Sequence, residues 1–343
     1  MSVELHLFVP GLLPPSWVDA KQLSGYNPGI QLLETWLSRA DKITLSELDY
    51  YRQLLALSKI NWIGSESAPI APIARLGDRG EPDSHYWVAA TPAHFAAEGD
   101  KIVLYGGGDI KLDDEEAQNF VTEFNSVYGG DGWFLEARTP LRWYLRSPQH
   151  TQVQLADYDT VVGNSISDHL PQGADAKSWL SLFNEIQMLF HGSELNQHRQ
   201  MKGLPTINGV WLWGNGLLPE IKPNWQQVWS DESMAQGLAK LSGVSPSVLP
   251  SSAEDCIGKL VSNGSVLITT RSLSHVESFR DPEAWEAKFS EFISEWLPPL
   301  TSALKSRDIE CLKLYPGGNV CFRLDASLLR RFWRVRKSIA RFV

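Results

Sequence analysis

Residues 195–216 constrain the fold more than any other part of the sequence, because helix, turn and strand signals follow one another within a single run. The letters are LNQHRQMKGLPTINGVWLWGNG. They predict a short polar helix that ends at Gly203, a turn at Pro205, a buried strand with two tryptophans, and a loop containing glycines. Three interpretations are open: a catalytic centre, a ligand-binding loop derived from one, or a well-packed strand and turn.

The composition limits the class of protein. The 343 residues are enough for one large domain or two ordinary ones. A net charge of −9 argues against nucleic-acid binding by the protein as a whole, because such binding needs a positive field. No apolar run approaches the roughly 20 residues of a membrane-spanning helix. The first residues, MSVELHLFVPGLL, lack a basic flank and a cleavage site, so we expect a cytoplasmic protein without a membrane span.

Hydrophobic periodicity predicts elements along the whole chain. Helices are expected from Asn27 and Pro28 to Ala40, from a capping box at residues 44–47, from Asp113, from Ser178 to Phe190, and from Asp281 until Pro298 interrupts the pattern. Strands are expected at residues 3–9, 101–105 and 265–270, and a hairpin precedes a last helix. Residues 60–84 are rich in Gly, Pro and Ser, which favours a long loop or domain boundary.

Few residues have metal-ligand spacing. His191 and His198 are seven residues apart, but Gly192 is expected to break the helix between them, which disfavours joint ligation. The three cysteines form no CxxC pair, so buried thiols are favoured over a zinc site or disulfides. The acidic residues 113–116 suit the positive end of a helix dipole. We therefore predict no resident metal on these residues.

The run at 195–216 also offers groups that suit a small anion. Arg199 could form paired hydrogen bonds with a carboxylate or phosphate, and backbone N–H groups at Gly214 and Gly216 could approach it. The competing interpretation is a structural network in which Asn196 or Asn208 binds the backbone across the Pro205 turn. A lone GxG does not decide between the two.

The C-terminal run RRFWRVRKSIARF concentrates positive charge. Its six cations leave a net charge of −15 on the rest of the chain, whose total is −9. Aromatic and aliphatic residues alternate with these cations. A terminal helix that packs its aromatic side chains on an acidic domain is favoured, and contact with a membrane surface or nucleic acid is the alternative.

Residues 158–216 resemble a segment of the archaeal-type, cofactor-independent phosphoglycerate mutases of the alkaline phosphatase superfamily. That family has a loop ending in LPxG, a helix, the pattern NxxRxxxGxxPAN and an apolar strand ending in RGxG or WGxG. The matching positions are Leu170, Pro171, Gly173, Asn196, Arg199, Gly203, Pro205, Asn208, Trp213, Gly214 and Gly216. Upstream, PLRWYLR is similar to the family's YRHLLV strand and places Arg142 on a family arginine. The chain also resembles the bacterial RpfE-type regulatory proteins, which end in a similar arginine-rich RFWRR segment.

The departures from the family pattern concern its metal centre. The resemblance implies a Ser or Thr nucleophile between two divalent metals, with ligands from a DG motif after the first strand, a TDxxGH motif after a late strand and a terminal DHS motif. This chain has PGLL, TTRSLSHVESFRD and YPGG in those places, and only His275 lies near a ligand position. Where the family has TDxxxR, this chain has TPAHFA, with Pro92 and Ala96 at the acidic and arginine positions, which weakens phosphate contacts.

The resemblance implies an α/β fold: an alkaline-phosphatase-like core formed by residues 1–84 and 217–343, with an α+β cap inserted at 85–216. We expect no catalytic residue and no metal or other cofactor. The expected ligand is a small phosphorylated or carboxylated metabolite. The expected ligand contacts are Arg142, Asn196, Arg199, Asn208, Gly214 and Gly216.

The first hypothesis for function is a catalytically inactive, phosphoglycerate-mutase-like protein with a regulatory or metabolite-binding role. The second is an active mutase or phosphohydrolase whose rearranged site uses His275, Asp281 and other residues to hold two divalent metals such as manganese. The third is a protein-interaction module in which residues 328–343 form a basic, aromatic helix that binds a protein partner.

Overall fold

The computed structural model describes residues 2–19, 23, 28–46, 48–60, 67–222, 224–274 and 281–343. The chain divides into two compact units. Residues 1–60 and 221–343 form the first, called here the core unit, and residues 61–220 form the second, the cap unit. The cap unit contains all of the predicted cap, 85–216, together with residues 61–84 and 217–220.

Strands and helices alternate along most of the described chain. The strands are β1 Ser2–Phe8, β2 Asp41–Thr44, β3 Tyr86–Glu98, β4 Lys101–Gly106, β5 Phe134–Thr139, β6 Arg142–Ser147, β7 Gly209–Gly216, β8 Gln227–Trp229, β9 Asn263–Thr269, β10 Cys311–Tyr315 and β11 Val320–Leu324. The α-helices are α1 Pro28–Arg39, α2 Tyr50–Leu57, α3 Ile70–Arg79, α4 Asp114–Tyr128, α5 Tyr158–Val161, α6 Ala176–His191, α7 Glu194–Met201, α8 Ser233–Leu241, α9 Ala253–Ile257 and α10 Pro282–Ser306. None of the helices in the described ranges is both long and apolar enough to cross a membrane.

The core unit is built on a six-stranded sheet with the order β2-β11-β10-β1-β9-β8. Strands β10, β1, β9 and β8 run parallel, whereas β11 and β2 pair antiparallel at one side. Alternation along β1 buries Val3, Leu5 and Leu7 in one hydrophobic core, to which α1 and α10 contribute large side chains such as Trp36 and Trp285. Parallel strands covered by helices in this way are typical of α/β folds.

The cap unit is built on an antiparallel sheet in which β3 is the central strand. Its 13 residues pair with β6, β4 and β7, and β5 extends the sheet beyond β6. Helices α4 and α6 place Phe120, Phe124, Trp179 and Phe190 in the hydrophobic core of this unit. Asp113 caps α4 by accepting a hydrogen bond of 2.8 Å from the Glu116 N–H, as predicted for the acidic start of that helix.

Two predictions about element boundaries in the first quarter of the chain are wrong. Thr44 does not start a helix: it ends strand β2, and α2 is capped by Asp49. Residues 60–84 are not all loop, because α3 occupies Ile70–Arg79. Residues 70–77 of α3 are all buried, and the polar side chains of the helix, Arg75, Asp78 and Arg79, make ion pairs inside the cap unit. The ten-residue helix contains Pro72 and Gly77, which are residue types that favoured a loop. The proposed helix start at Asn27 and the capping residue Glu47 lie outside the described residues.

Two predictions near the C-terminus are also wrong. Helix α10 does not stop at Pro298 but runs to Ser306. The two prolines remove backbone donors, but Leu300, Ala303 and Leu304 continue the buried face and keep the helix packed. The last segment is not an α-helix: it contains two short 3₁₀ turns, Leu328–Arg330 and Ile339–Arg341.

Candidate functional site

The carboxyl edge of the core sheet is the expected place for a ligand, because ligands in α/β sheets bind outside the carboxyl ends of the parallel strands. Strand β1 ends at Phe8, β9 at Thr269 and β10 at Tyr315. The described residues that follow these three strands directly, 9–12, 270–274 and 316–319, contain no Asp, Glu or His. His275 and Glu277 follow in the second loop but lie outside the described residues, and the fourth parallel strand, β8, is followed by Asp231 and Glu232.

Backbone hydrogen bonds join these loops to one another. The Val9 N–H donates to the Tyr315 carbonyl at 2.9 Å, and the Gly11 N–H donates to the Pro316 carbonyl at 3.1 Å. The indole N–H of Trp285 donates to the Gly11 carbonyl at 3.1 Å. Gly11 has φ of +79°, and a Cβ there would lie 2.8 Å from the Ser274 nitrogen. Glycine is thus required by both the backbone conformation and the close approach.

Arg271 is a cation in the loop that follows β9. Its guanidinium donates a hydrogen bond of 2.7 Å to the Tyr51 hydroxyl and lies 4.9 Å from the ring centre of Tyr50 and 5.2 Å from that of Tyr51. Cation–π contacts of this length help to hold an arginine in place. The edge therefore presents a cation, which suits an anionic ligand and not a metal ion. The run TTRS directly after an apolar strand is the sequence signal that could have identified this residue.

The described residues do not fit the two-metal centre that the resemblance implies. No group of three or more His, Cys, Asp or Glu side chains comes together anywhere in the described ranges. Asp281, one of the two residues named for a rearranged site, caps helix α10 by accepting a 3.0 Å hydrogen bond from the Ala284 N–H. The other, His275, lies outside the described residues. Two-metal catalysis needs several carboxylates and imidazoles that converge, so the described residues support no catalytic step of this kind.

A second polar cluster of the core unit, on strands β1 and β10, was missed from the sequence. His6 Nε2 lies 2.7 Å from Glu4 Oε1, and the Tyr315 hydroxyl lies 3.0 Å from His6 Nδ1. The hydrogen bond from His6, together with one from Lys313, lowers the pKa of Glu4 to about 2 against the opposing effect of partial burial. Burial raises the pKa of the Tyr315 hydroxyl.

This carboxylate–imidazole–phenol chain has the order of a proton relay, but its geometry is that of a packed core. His6 and Tyr315 are both buried, and the ring of Trp225 contacts the His6 imidazole edge-on, with the centres 5.1 Å apart. Buried polar groups that bond to each other in this way satisfy their own hydrogen-bonding capacity. The cluster therefore stabilises the sheet and offers no open position for a substrate.

In the cap unit, the run 195–216 forms α7, a turn and β7, as the sequence predicts. Asn196 is buried and bonds the backbone across the Pro205 turn: its amide donates to the carbonyls of Ile207 at 2.8 Å and Phe190 at 2.6 Å, and its oxygen accepts from the Ile207 N–H at 2.8 Å. This confirms the expected backbone bonds. Asn196 holds the end of α6 and the start of β7 to helix α7.

Arg199 has no exposed surface. Its guanidinium donates to Glu116 at 2.7 Å, to the Pro205 carbonyl at 2.8 Å, to the Lys111 carbonyl at 3.4 Å and to the Ile110 carbonyl. A buried charge must be paired and hydrogen-bonded in this way. The geometry thus gives Arg199 a structural role inside the cap unit, which is the structural-network interpretation that the sequence had left open beside an anion contact.

The other four predicted contact residues also have partners within the cap unit. Asn208 accepts from the Phe95 N–H at 2.7 Å and donates to its carbonyl at 2.8 Å. Arg142 makes two hydrogen bonds of 3.1 Å to Asp78 and keeps 46% of its side chain exposed. A Cβ on Gly214 or Gly216 would lie within 3.0 Å of Ile70 or Pro69. No hydrogen bond links any two of the six predicted residues, all of which the structure describes.

Comparison with known proteins gives low but consistent similarity. No family model matches the chain. It is 33% identical over 69 residues, 20% of its length, to a 2,3-bisphosphoglycerate-independent phosphoglycerate mutase from Methanothrix thermoacetophila, 17% of which is covered. It is 25% identical over 126 residues, 36% of its length, to 2,3-bisphosphoglycerate-independent phosphoglycerate mutase 2 from Methanothermobacter thermautotrophicus, 31% of which is covered. The matched segments therefore span less than a third of each of these relatives.

Two solved structures resemble the chain over nearly its whole length. One is a cofactor-independent phosphoglycerate mutase from Thermoplasma acidophilum, with a TM-score of 0.51 and 13% identity, covering 99% of this chain and 94% of that one. The other is the PH0037 protein from Pyrococcus horikoshii, with a TM-score of 0.55 and 11% identity, covering 93% and 86%.

The class of protein follows from the fold: an α/β protein with an alkaline-phosphatase-like core and an α+β cap, as predicted from the sequence. Within that class, segments of the chain are similar to 2,3-bisphosphoglycerate-independent phosphoglycerate mutases, and one of the two structural neighbours is a cofactor-independent phosphoglycerate mutase. At these identities the structural likeness concerns the fold alone, because one fold supports many chemistries.

Proposed function

We propose that this chain is a catalytically inactive, phosphoglycerate-mutase-like protein of RpfE type that acts in the cytoplasm by binding a small phosphorylated or carboxylated metabolite. The observation that carries the proposal is the carboxyl edge of the core sheet. It carries Arg271, and the described residues bring no three His, Cys, Asp or Glu side chains together at this edge or elsewhere. An arginine attracts an anion, whereas the two divalent metals that activate a nucleophile and neutralise charge on phosphorus need several converging carboxylates and imidazoles. The proposal includes no resident cofactor.

One arginine in each unit is proposed as a metabolite contact, and the two are separate candidate sites. In the core unit, Arg271 is kept in position by the rings of Tyr50 and Tyr51. In the cap unit, Arg142 is the one predicted residue whose charged group keeps substantial exposure. A guanidinium matches the geometry of carboxylate and phosphate with paired hydrogen bonds. The buried residues Asn196, Arg199 and Asn208 are assigned to the structural network of the cap.

Metal content and turnover test the catalytic part of the proposal. The protein is purified without chelators, its bound metals are measured, and mutase and phosphatase turnover are assayed with added manganese. We expect less than one metal per chain and no turnover. Two metals per chain together with turnover would overturn the proposal in favour of an active mutase or phosphohydrolase that uses His275 and Asp281.

Binding of 3-phosphoglycerate tests the ligand part. We expect this compound to raise the Tm of the wild-type protein, and we expect the shift to be lost in Arg271→Gln. Lys305→Gln, which changes an exposed cation near the end of α10, serves as the matched control. An equal Tm shift in Arg271→Gln and the control would refute a contact at Arg271.

A second candidate function, binding of a protein partner through residues 328–343, is favoured by one observation. Phe332, Trp333 and Val335 are 80%, 66% and 76% exposed, so these side chains do not pack on the domain as the sequence had suggested. Exposed aromatic residues beside arginines are typical of binding hot spots. Phe332→Ser/Trp333→Ser should lose partners that chemical cross-linking detects with the wild type, whereas Val343→Ser, another exposed residue, should keep them. Identical cross-linking patterns in all three would remove this candidate.

A further inference from the structure

A cleft of about 370 Å³ lies in the core unit, away from the elements that form the carboxyl edge. The C-terminal end of α1, strands β2 and β11, and the C-terminal segment (residues 328–343) enclose it. Its volume falls in the range of small-molecule sites, roughly 300–1,000 Å³. Neither Arg271 nor Arg142, the two proposed metabolite contacts, lines it.

Three cations line this cleft: Lys42, Arg334 and Lys337. Within the described part of the chain, neither lysine has a carboxylate within the 4.0 Å of an ion pair. Arg334 donates a hydrogen bond of 2.7 Å to the Ala40 carbonyl. The one lining carboxylate, Asp41, pairs with Arg331 at 2.5 Å and lies 3.9 Å from both Arg323 and Arg334, so it is shared among three arginines. The cleft therefore has an excess of positive charge that the protein itself does not neutralise.

The floor of the cleft is apolar. Leu37 and Phe322 are buried there, and Phe342 packs edge-on against Phe322 with the ring centres 6.0 Å apart. Aromatic rings in this arrangement present a flat surface on which an aromatic or aliphatic group can pack. Cations at the rim and rings on the floor together suit a ligand with one charged end and one apolar end.

The walls of the cleft are held in place by hydrogen bonds between the C-terminal segment and α1. The Lys337 N–H donates to the Ser38 hydroxyl at 2.9 Å, and the Ile339 N–H donates to Glu34 at 3.0 Å. Ile339 is buried in the core beside α1. Because these bonds fix the backbone on both sides of Ser338, the cleft is formed before any ligand arrives, which lowers the entropic cost of binding.

We propose that this cleft binds a free organic anion, a carboxylate or phosphate monoester that carries an aromatic or compact aliphatic group. The anion contacts Lys42, Lys337 and Arg334, and the apolar group packs on Phe322 and Phe342. The site is independent of the metabolite contact proposed at Arg271. The site gives the basic C-terminal segment a ligand-binding role in addition to the partner binding proposed for its exposed aromatic residues.

Calorimetric titration of the full chain tests the proposal with three probes: phenyl phosphate, inorganic phosphate and phenol. We expect phenyl phosphate to bind at least tenfold more tightly than either fragment, because only this compound uses both the rim and the floor. We also expect Lys42→Gln and Lys337→Gln each to weaken it about three- to tenfold, the range for an exposed charge-assisted hydrogen bond. The control Lys305→Gln should leave the affinity unchanged.

Three outcomes would overturn the proposal: no binding of phenyl phosphate at millimolar concentration, binding no tighter than that of inorganic phosphate, or an equal loss in Lys305→Gln. Arg271→Gln separates this site from the one proposed above. Phenyl phosphate should bind that variant as it binds the wild type, even if 3-phosphoglycerate no longer does. Loss of both ligands in Arg271→Gln would place phenyl phosphate at the carboxyl edge and refute the cleft.

Discussion

The run 195–216 of the cap keeps the residues of the phosphoglycerate mutase pattern, whereas the carboxyl edge of the core sheet does not keep its metal-ligand motifs. In the cap, the matching residues are present, and the structure uses them for folding: Asn196 joins two elements across a turn and Arg199 satisfies three carbonyls and a carboxylate. At the core edge, PGLL, TTRSLSHVESFRD and YPGG stand in the places of the metal-ligand motifs, and His275 is the one residue near a ligand position.

This contrast shows that the residues of a shared sequence pattern serve two separate purposes, ligand binding and folding. Residues that bind a metal or ligand are not needed for folding, so a chain can lose them and keep its fold. Residues that satisfy buried backbone groups cannot be lost as easily, since an unsatisfied buried donor or acceptor costs about 1–3 kcal/mol. An arginine in a shared motif therefore does not indicate ligand binding until its exposure is known. Arg199 has none.

Substitution of Arg199 should have the largest effect. Arg199→Met keeps an apolar chain in place of the arginine stem but leaves Glu116 and the carbonyls of Ile110, Lys111 and Pro205 without their donor. Removal of one partner from a buried ion pair costs about 3–5 kcal/mol. We expect a loss of that size in the free energy of unfolding, measured by urea denaturation. Hydrogen exchange should show faster opening of residues 110–116 and 199–207.

Arg142→Met is the matched control. Arg142 is 46% exposed and its partner Asp78 is 8% exposed, and the Tyr144 hydroxyl still donates to Asp78 when Arg142 is removed, so the loss should be clearly smaller than that of Arg199→Met. If the two variants were equally stable, Arg199 would not organise the cap, and the contrast between the cap and the core edge would fail.

The sequence was sufficient to predict most of the fold, because amphipathic helices and alternating strands leave a periodic pattern. Helix α1 buries Ile30, Leu33 and Leu37 as expected. The sequence was not sufficient for α3, which is short and contains Pro72 and Gly77, or for the C-terminal segment. In that segment Arg331 bonds Asp41 and the Ile339 N–H bonds Glu34, and such tertiary partners compete with the hydrogen bonds of a helix. No local sequence pattern indicates these tertiary hydrogen bonds.

The candidate site was less predictable than the fold. The missing metal ligands were visible in the sequence because three short motifs could be compared directly with the pattern of the family. The stacking of Arg271 on Tyr50 and Tyr51 was not visible, since about 220 residues separate the groups that meet. The cleft beside Lys42 and Lys337 depends in the same way on contacts between α1 and the C-terminal segment, at opposite ends of the chain.

Gly214→Ala should have the second-largest effect and separates two roles for the glycines of β7. Gly214 has φ of +62°, and a Cβ there would lie 2.9 Å from the Cβ of Ile70. Gly99 has the same φ of +62° with nothing within 4 Å. An alanine in this conformation costs about 1–2 kcal/mol, and overpacking adds about 1–3 kcal/mol. Urea denaturation should therefore show a loss for Gly214→Ala that exceeds the loss for Gly99→Ala. Equal losses would mean that close packing on α3 is not why glycine is needed at position 214.

Glu4→Gln should have the smallest effect and one that depends on pH. Hydrogen bonds from His6 and Lys313 lower the pKa of Glu4 from 4.5 to about 2 in the folded chain. The ionised carboxylate therefore stabilises the fold at pH values above about 4.5, and this contribution is lost as the pH falls towards 2. The difference in unfolding free energy between the wild type and Glu4→Gln should be constant near neutral pH and shrink below pH 4.5. Glu286→Gln, on an exposed face of α10, controls for the general loss of one carboxylate. A difference that stayed the same from pH 6 to pH 3 would show that the His6 cluster does not stabilise the core sheet through the charge of Glu4.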